Sequence, residues 1–483
     1  MTTATGTSTY DVVVIGGGPV GENVADYAIA GSDRTAAIIE HELVGGECSY
    51  WACMPSKALL GPGAALAGAA GLGGARERLT DVRPDPAAVL AWRDEVTHGR
   101  DDASQIDWAR NAGIDIIRGH GRIVGEREVA VGDARVHARH AVVIATGSVA
   151  SIPPITGLRE ALPWTSRDAT NVIDVPRRLV ILGGGVVACE AATWLSDLGV
   201  TDLTMVVRSD RLLPKAEPFV SERVAAGLTA RGVDIRFRTR IDSVDRPGAD
   251  DTGHGRIHGG PARIVLSGPG GDEESTVDEI LVAAGRHPAT SDLGLDTVGL
   301  STSGAIEVDD RMMVPGHAWL HAVGDVNGRV ALTHMGKYQA RVAGDVIAAR
   351  AAGRPVEGLR FTVAADRDAI PQVIFTRPEV ASVGRTEEQA RADGVEVVIA
   401  ETDIAVAGSY LVSPDYDGHA KLVIDSADGT VVGATFVGAQ TAELVHSATV
   451  AIVGKVPVDL LWHAVPAYPT VSEVWLRLLE QLH

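Results

Sequence analysis

The strongest constraint on this chain is a strand, glycine-turn, helix pattern that occurs twice. The apolar run Tyr10-Asp11-Val12-Val13-Val14-Ile15 passes directly into Gly16-Gly17-Gly18-Pro19-Val20-Gly21 and then into a helix-compatible stretch reaching about Ala30. The plan returns at Arg178-Leu179-Val180-Ile181-Leu182, followed by Gly183-Gly184-Gly185-Val186-Val187-Ala188 and a helical run through Leu198. Short apolar runs bounded by glycine read as strands buried on both faces. Gly16 permits the tight turn, Gly18 lets a pyrophosphate approach the backbone, and Gly21 lets helix and strand pack closely, with the helix N-terminus facing the anion. A second strand, Ala36-Ala37-Ile38-Ile39, ends in Glu40, roughly twenty residues beyond Gly16, where a dinucleotide fold places the carboxylate for a ribose. The spacing therefore predicts an α/β chain with two Rossmann-like, three-layer dinucleotide-binding domains.

Each copy is followed further on by an apolar strand and a small turn. These are Val142-Val143-Ile144 with Ala145-Thr146-Gly147, and Ile280-Leu281-Val282 with Ala283-Ala284-Gly285. From about Phe361 the texture changes to strand-like runs such as Gln372–Phe375 and Ala420–Ile424 with helix-like segments between them, which reads as a separate α+β domain. The resulting division is 1–150, 151–282, 283–358 and 359–483. The stretch Gly61 to Gly74 is rich in Ala and Gly, and Pro247 to Pro261 reads as an exposed Gly-rich hairpin connection; neither carries evident chemistry.

Composition narrows the function. With Lys+Arg 43 against Asp+Glu 63 the net charge is −20, which opposes nucleic acid and anionic membranes as partners. No run of about 18 apolar residues occurs, and an N-terminus without Lys or Arg does not read as a signal peptide, so a cytoplasmic location is expected. Three cysteines in 483 residues exclude a disulfide-stapled secreted fold.

Two of those cysteines lie in Gly45-Gly46-Glu47-Cys48-Ser49-Tyr50-Trp51-Ala52-Cys53-Met54-Pro55-Ser56-Lys57. Residues five apart in a straight helix lie about 140° around and about 7.5 Å along the axis, beyond the ~4.4–6.8 Å Cα separation of a disulfide. Pro55 favours the first turn of a helix, which leaves both thiols at its irregular start, where backbone N–H groups lower a thiol pKa. That location suits a redox-active pair.

At these residues the sequence resembles the FAD-dependent pyridine nucleotide-disulfide oxidoreductases, which include dihydrolipoyl dehydrogenase, glutathione reductase and mercuric reductase. The resemblance rests on both glycine fingerprints, the Gly-Gly-x-Cys-x4-Cys-x-Pro-Ser-Lys block, Ala145-Thr146-Gly147, Gly285-Arg286-His287-Pro288, Gly324-Asp325 and Pro469-Thr470-Val471-Ser472-Glu473. It implies FAD on segments 1–150 and 283–358, NAD(P)H on 151–282, and a homodimer built by 359–483 with active sites shared between subunits. Electrons would run from NAD(P)H through FAD and a Cys48–Cys53 disulfide to a small-molecule acceptor, Cys53 being the thiol nearest the flavin and Cys48 the interchange thiol. The residues implied for FAD are Gly16, Gly18, Pro19, Gly21, Glu40, Gly46, Gly121, Thr146, Gly147, Thr333 and Asp325, the last holding the ribityl chain. Lys57 and Glu190 match a buried ion pair beside the flavin, although each alone is ordinarily a surface charge. Gly183, Gly185, Val187 and Gly285 match the nicotinamide site. Val186 leaves its pocket open, and Cys189 reads as a packed core thiol.

Arg208 ends the second strand after the second fingerprint, where an acid binds the ribose of NAD. A guanidinium there, with Arg211 assisting, suits the 2′-phosphate of NADP and predicts NADPH in preference to NADH. The other departure is Tyr468, which stands where relatives that exchange with organic disulfides carry a His oriented by the acid at Glu473. A phenol with a pKa near 10 is a poor proton shuttle at pH 7, which argues against efficient dihydrolipoamide or glutathione turnover. Mercuric reductases also carry Tyr there but add a C-terminal cysteine pair that this sequence does not show. His463 is an alternative base. The expected activity is an NADPH-dependent flavoenzyme reducing an unusual disulfide, a quinone or a soft metal ion, with no resident metal. Alternatives are a dihydrolipoyl dehydrogenase-like or mercuric reductase-like enzyme and a flavoprotein redox sensor with little turnover.

Overall fold

The computed structural model describes residues 6–482, which separate into two compact units. The first is formed by the chain up to residue 55 with residues 94–151 and 286–366; the second by residues 56–93, 152–285 and 367 onward.

In the first unit, β1 (Thr7–Ile15) lies between β2 (Ala36–Glu40) and the strand Ala134–Ile144, parallel to both, with Val14 opposite Ile38 and Val143. The strands Ile114–Arg118 and His317–Ala322 extend this parallel sheet on its two sides. Val12, Val13 and Val14 are fully buried, as a strand covered on both faces requires. Each such side chain contributes about 1.5–3 kcal/mol. One face packs under α1 (Pro19–Ile29) and the helix Thr333–Ala351, through Val24, Ala28, Ala343 and Val346. The other face packs under Ile123 and Val129 of a hairpin, with Leu293, Leu295 and Trp319. This is the three-layer arrangement that the sequence predicts.

The second unit repeats the motif in a four-stranded parallel sheet ordered Asp234–Phe237, Asp202–Val207, Arg178–Leu182, Glu279–Val282. The equivalence of the two glycine turns is geometric. Gly16 has φ +106 and Gly183 φ +138, and a Cβ on either would run into the carbonyl oxygen of the residue just after a neighbouring strand, Ala145 or Ala283. Only glycine fits both positions. A three-stranded antiparallel sheet, Arg240–Asp245, Ala262–Gly268 and Gly271–Val277, closes this part of the unit. Five antiparallel strands between Pro371 and Gly438, with the helices Leu444–Val453 and Val474–Leu479, form the expected α+β portion. Among the described residues no helix is long and apolar enough to cross a membrane.

Two stretches differ from their sequence reading. Residues 61–71, rich in Ala and Gly, continue helix α3 (Cys53–Gly71), and their small side chains have a packing purpose. A Cβ on Gly63 would strike the ion pair of Asp197 with Arg377, so the helix can pass this pair only without one. The segment 247–261 does connect two antiparallel strands, but it is not merely exposed. His258 is buried, the Arg256 carbonyl accepts the Trp164 indole N–H at 2.7 Å, and Gly255 and His254 both bond Asp168.

Beneath that segment Arg246 and Glu279 form an ion pair, 2.8 Å apart, with both side chains inaccessible to solvent. Arg246 also donates to the carbonyls of Ala161, His258 and Asp278, and Glu279 accepts the His258 N–H. Breaking a buried pair by removing one partner costs about 3–5 kcal/mol because the other charge remains desolvated. Glu279→Leu is therefore expected to lower the free energy of unfolding by about that amount, read by urea denaturation; a change near zero would contradict the geometry.

Candidate active site

The thiol pair occupies a break between two helices. Cys48 lies in the short α2 (Gly46–Tyr50); at Trp51 the backbone leaves helical geometry (φ −129, ψ −7), and Cys53 opens the 19-residue α3, with Pro55 in its first turn. Both cysteines are half-buried. Cys53 Sγ lies 3.4 Å from the hydroxyl of Thr333, the first residue of the helix Thr333–Ala351. The Cys48 thiol is pushed well above the usual range, first by Cys53 beside it and then by burial, against the opposing pull of the Thr333 hydroxyl and the Cys53 N–H. This differs from the lowering expected at a helix start. The negative charge that Cys53 can carry outweighs the backbone donors, so the pair resists holding two charges at once and Cys48 keeps its proton.

The dinucleotide turn belongs to the same unit. Gly18 caps α1 with no side-chain hydrogen bond and Pro19 follows, so the first-turn N–H groups are not occupied by a capping side chain. A Cβ on Gly46 would come within 2.7 Å of Gly18 Cα, which packs the thiol segment against the turn. Glu40 is buried and accepts the N–H groups of Gly17 and Glu42, each at 2.7 Å. Burial alone would raise its pKa, but His41 and these two N–H groups outweigh it and hold the carboxyl below the usual range. Gly121 lies against Ile15 and Ile39 at the start of a neighbouring strand. Thr146 donates to the Ala289 carbonyl at 2.8 Å, and Gly147 makes the turn after it with φ +73. Asp325 sits in a single turn, Gly324–Asn327, and accepts from Ser148 at 2.6 Å through Oδ2. These uncapped donors, the glycine cradle and the acid at the second strand end fit an FAD molecule.

In the second unit Lys57 and Glu190 meet at 2.8 Å. Glu190 is buried, while the Lys57 side chain is 37% exposed, so the pair is sealed on one side only. Phe375 completes it: its N–H donates to Glu190 at 2.9 Å and its ring lies 4.8 Å from the Lys57 ammonium. The sequence gives no sign of Phe375, because a long chain separation hides the contact.

The second glycine turn resembles the first. Gly185 caps the helix Val186–Asp197 without a side-chain bond and has no neighbour close to where a Cβ would stand, Val187 is exposed in the first turn, and Gly285 has φ +125. Cys189 is fully buried in that helix and its thiol is pushed up by burial, as a packed core residue. Arg208 is exposed and makes no hydrogen bond or ion pair among the described residues. Arg211 is engaged, donating to the Pro214 carbonyl at 2.8 Å.

Tyr468 and Glu473 are not joined to each other. Tyr468 is 76% exposed, whereas Glu473 is buried and accepts the Gly408 N–H at 3.4 Å. His463 is exposed.

A family model described as pyridine nucleotide-disulphide oxidoreductase matches residues 10–340, and a second, described as the dimerisation domain of the same family, matches 370–478. Among curated relatives, dihydrolipoyl dehydrogenase of Synechocystis is 31% identical, the alignment covering 96% of this chain and 97% of that one. Mercuric reductase of Staphylococcus aureus is 27% identical, covering 96% and 81%. Among solved structures, the Cu(II) complex of the HOCl-induced flavoprotein disulfide reductase RclA from Escherichia coli superposes with a TM-score of 0.82 over 99% of this chain and 100% of that one, at 22% identity. That likeness is one of fold.

Proposed function

The chain belongs to the pyridine nucleotide-disulphide oxidoreductases, FAD-dependent enzymes that use a pyridine nucleotide, and within them we propose that it takes electrons from NADPH and delivers them to a small acceptor that needs no protein imidazole, through Cys48 and Cys53 for a disulfide or soft metal ion and from the flavin itself for a quinone. The observation that carries this reading is the thiol pair at the α2–α3 break, in the same unit as the uncapped glycine turn.

In this reading residues 1–150 and 283–358 hold FAD through the Gly16–Gly21 turn, Glu40 and Asp325. Residues 151–282 hold NADPH, and 359–483 bind a second copy. An FAD held by these residues would supply the two-electron chemistry that links the nicotinamide to the disulfide. The protein's part is to hold Cys53 beside the Thr333 hydroxyl, to keep a positive charge at Lys57 anchored by Glu190, and to keep the Cys48 thiol protonated until attack. Attack by Cys48 on a disulfide requires that proton to leave, and the exposed phenol of Tyr468 removes it poorly at pH 7. A quinone or soft metal ion avoids that step. Val450, Val453, Leu460, Trp462, Val465 and Tyr468, all exposed in the single chain, supply an apolar surface for the second copy.

The test is a screen of NADPH- and NADH-driven turnover at pH 7 with lipoamide, small disulfides, quinones and Hg(II). A quinone or Hg(II) is expected to be reduced faster than any disulfide; lipoamide with NADH as the fastest pair would overturn the reading. Arg208→Ala is expected to weaken NADPH binding by about 1.5–3 kcal/mol, roughly ten- to a hundredfold, and to leave NADH unchanged. Equal kcat/KM for the two nucleotides before and after the substitution would remove Arg208 from the account.

A further inference from the structure

Three polar groups that the sequence reading leaves without a role connect the flavin side of the site to its thiol side. The short strand Arg286–Pro288 pairs antiparallel with Ser148–Ala150, and the Arg286 guanidinium reaches back along this ribbon to Ser148. Its Nε donates to Ser148 Oγ at 2.8 Å and its Nη2 to the Ser148 carbonyl at 2.6 Å. A serine hydroxyl has one proton. With Arg286 donating to its oxygen, Ser148 turns that proton to Asp325 Oδ2, 2.6 Å away. The direction of the chain is thereby fixed, and Asp325 Oδ1 has no partner among the described residues. The same Nη2 lies 3.4 Å from Glu47 Oε1, and Glu47 immediately precedes Cys48 on α2. All of these residues belong to the first unit.

We propose that Arg286 is a positioning residue that holds Asp325 ready for the flavin, through Ser148, and balances the carboxylate of Glu47, the residue before Cys48. The inference rests on the flavin and thiol roles proposed above. Each arm has its own consequence. Without the guanidinium, Ser148 is free to rotate and Asp325 loses its fixed donor. Glu47, the residue before Cys48, loses the guanidinium that faces it, and a less compensated negative charge in that turn raises a thiol pKa further. A planar fork suits this geometry and a lysine does not, since one ammonium cannot span both Ser148 atoms in the same plane.

The experiment uses holoenzyme and two readouts, the dissociation constant of FAD and the rate of Cys48 alkylation by iodoacetamide after reduction with dithiothreitol, resolved by mass spectrometry. Arg286→Met is expected to weaken FAD binding roughly ten- to a hundredfold and to slow Cys48 alkylation at pH 7 roughly three- to tenfold. Ser148→Ala should reproduce the first effect without the second. In a Glu47→Gln background Arg286→Met should no longer slow alkylation. Arg286→Lys, which keeps the charge and is the variant to use if the Met protein does not fold, should preserve the alkylation rate and weaken FAD binding. If Asp325→Ala leaves FAD binding intact, the flavin reading of Asp325 fails. If Asp325→Ala weakens it but Arg286→Met adds its full effect on top, or if the alkylation rate falls equally in the Glu47→Gln background, the coupling through Arg286 is wrong while the flavin reading stands.

Discussion

Replacing Tyr468 by His raises the rate of small-disulfide reduction at pH 7 by about a hundredfold, the lower end of the ~10²–10⁴ typical of general acid-base catalysis. The lower end is expected because Glu473 is held by the Gly408 N–H and would have to turn to orient the new imidazole. The wild-type rate should climb as pH rises above neutrality. The Cys48 pKa is raised, so the thiolate fraction at pH 7 is small and grows with each unit of pH. The histidine variant should flatten that slope, since its base is available near pH 6.5. Stopped-flow or steady-state rates with lipoamide between pH 6 and 9 read both effects. A wild-type enzyme already fast and flat at pH 7, unaffected by the substitution, would place the base elsewhere, with His463 the first alternative.

The second large effect concerns the thiols. Cys53→Ser and Cys48→Ser should each reduce NADPH-dependent disulfide turnover by on the order of 10³ or more, since residues acting as a unit fail together when one is lost. Direct oxidation of the flavin by a quinone should survive in both. The variants also separate the two sulfurs: without Cys53 the main cause of the raised Cys48 pKa is gone, and Cys48 in Cys53→Ser should alkylate faster than in wild type at the same pH. Quinone turnover that collapses with disulfide turnover would mean that every acceptor is served through the thiols. Unchanged disulfide turnover in both variants would remove the pair from the mechanism.

The parts of the fold legible from the sequence are those governed by local rules. Val12 to Ile15 and Leu179 to Ile181 are uninterrupted apolar runs ended by glycines that need positive φ, and a strand buried on both faces leaves few other solutions. The sulfur pair was legible for the same reason, because the five-residue spacing excludes a disulfide across a regular helix and Pro55 leaves both cysteines at an irregular helix start. What was not legible depends on residues that meet from far apart. The Ala- and Gly-rich second half of α3 shows no purpose until Asp197 and Arg377 are found against Gly63. The segment 247–261 looks exposed until Arg246 and Glu279 are found buried beneath it. Phe375 at the Lys57–Glu190 pair and the Ser148–Arg286–Glu47 chain have no short-range signature, and the upward shift of Cys48 arises from the proximity of two sulfurs rather than from the helix start that the sequence reveals.

The central claim, that NADPH reduces a Cys48–Cys53 disulfide, is tested most directly by anaerobic thiol labelling of the flavin-loaded wild-type enzyme before and after one equivalent of NADPH. The account predicts that in the air-oxidised protein neither Cys48 nor Cys53 reacts with iodoacetamide, that both become labelled after NADPH, and that buried Cys189 is silent throughout. Labelling of Cys48 and Cys53 that is the same with and without NADPH would contradict it.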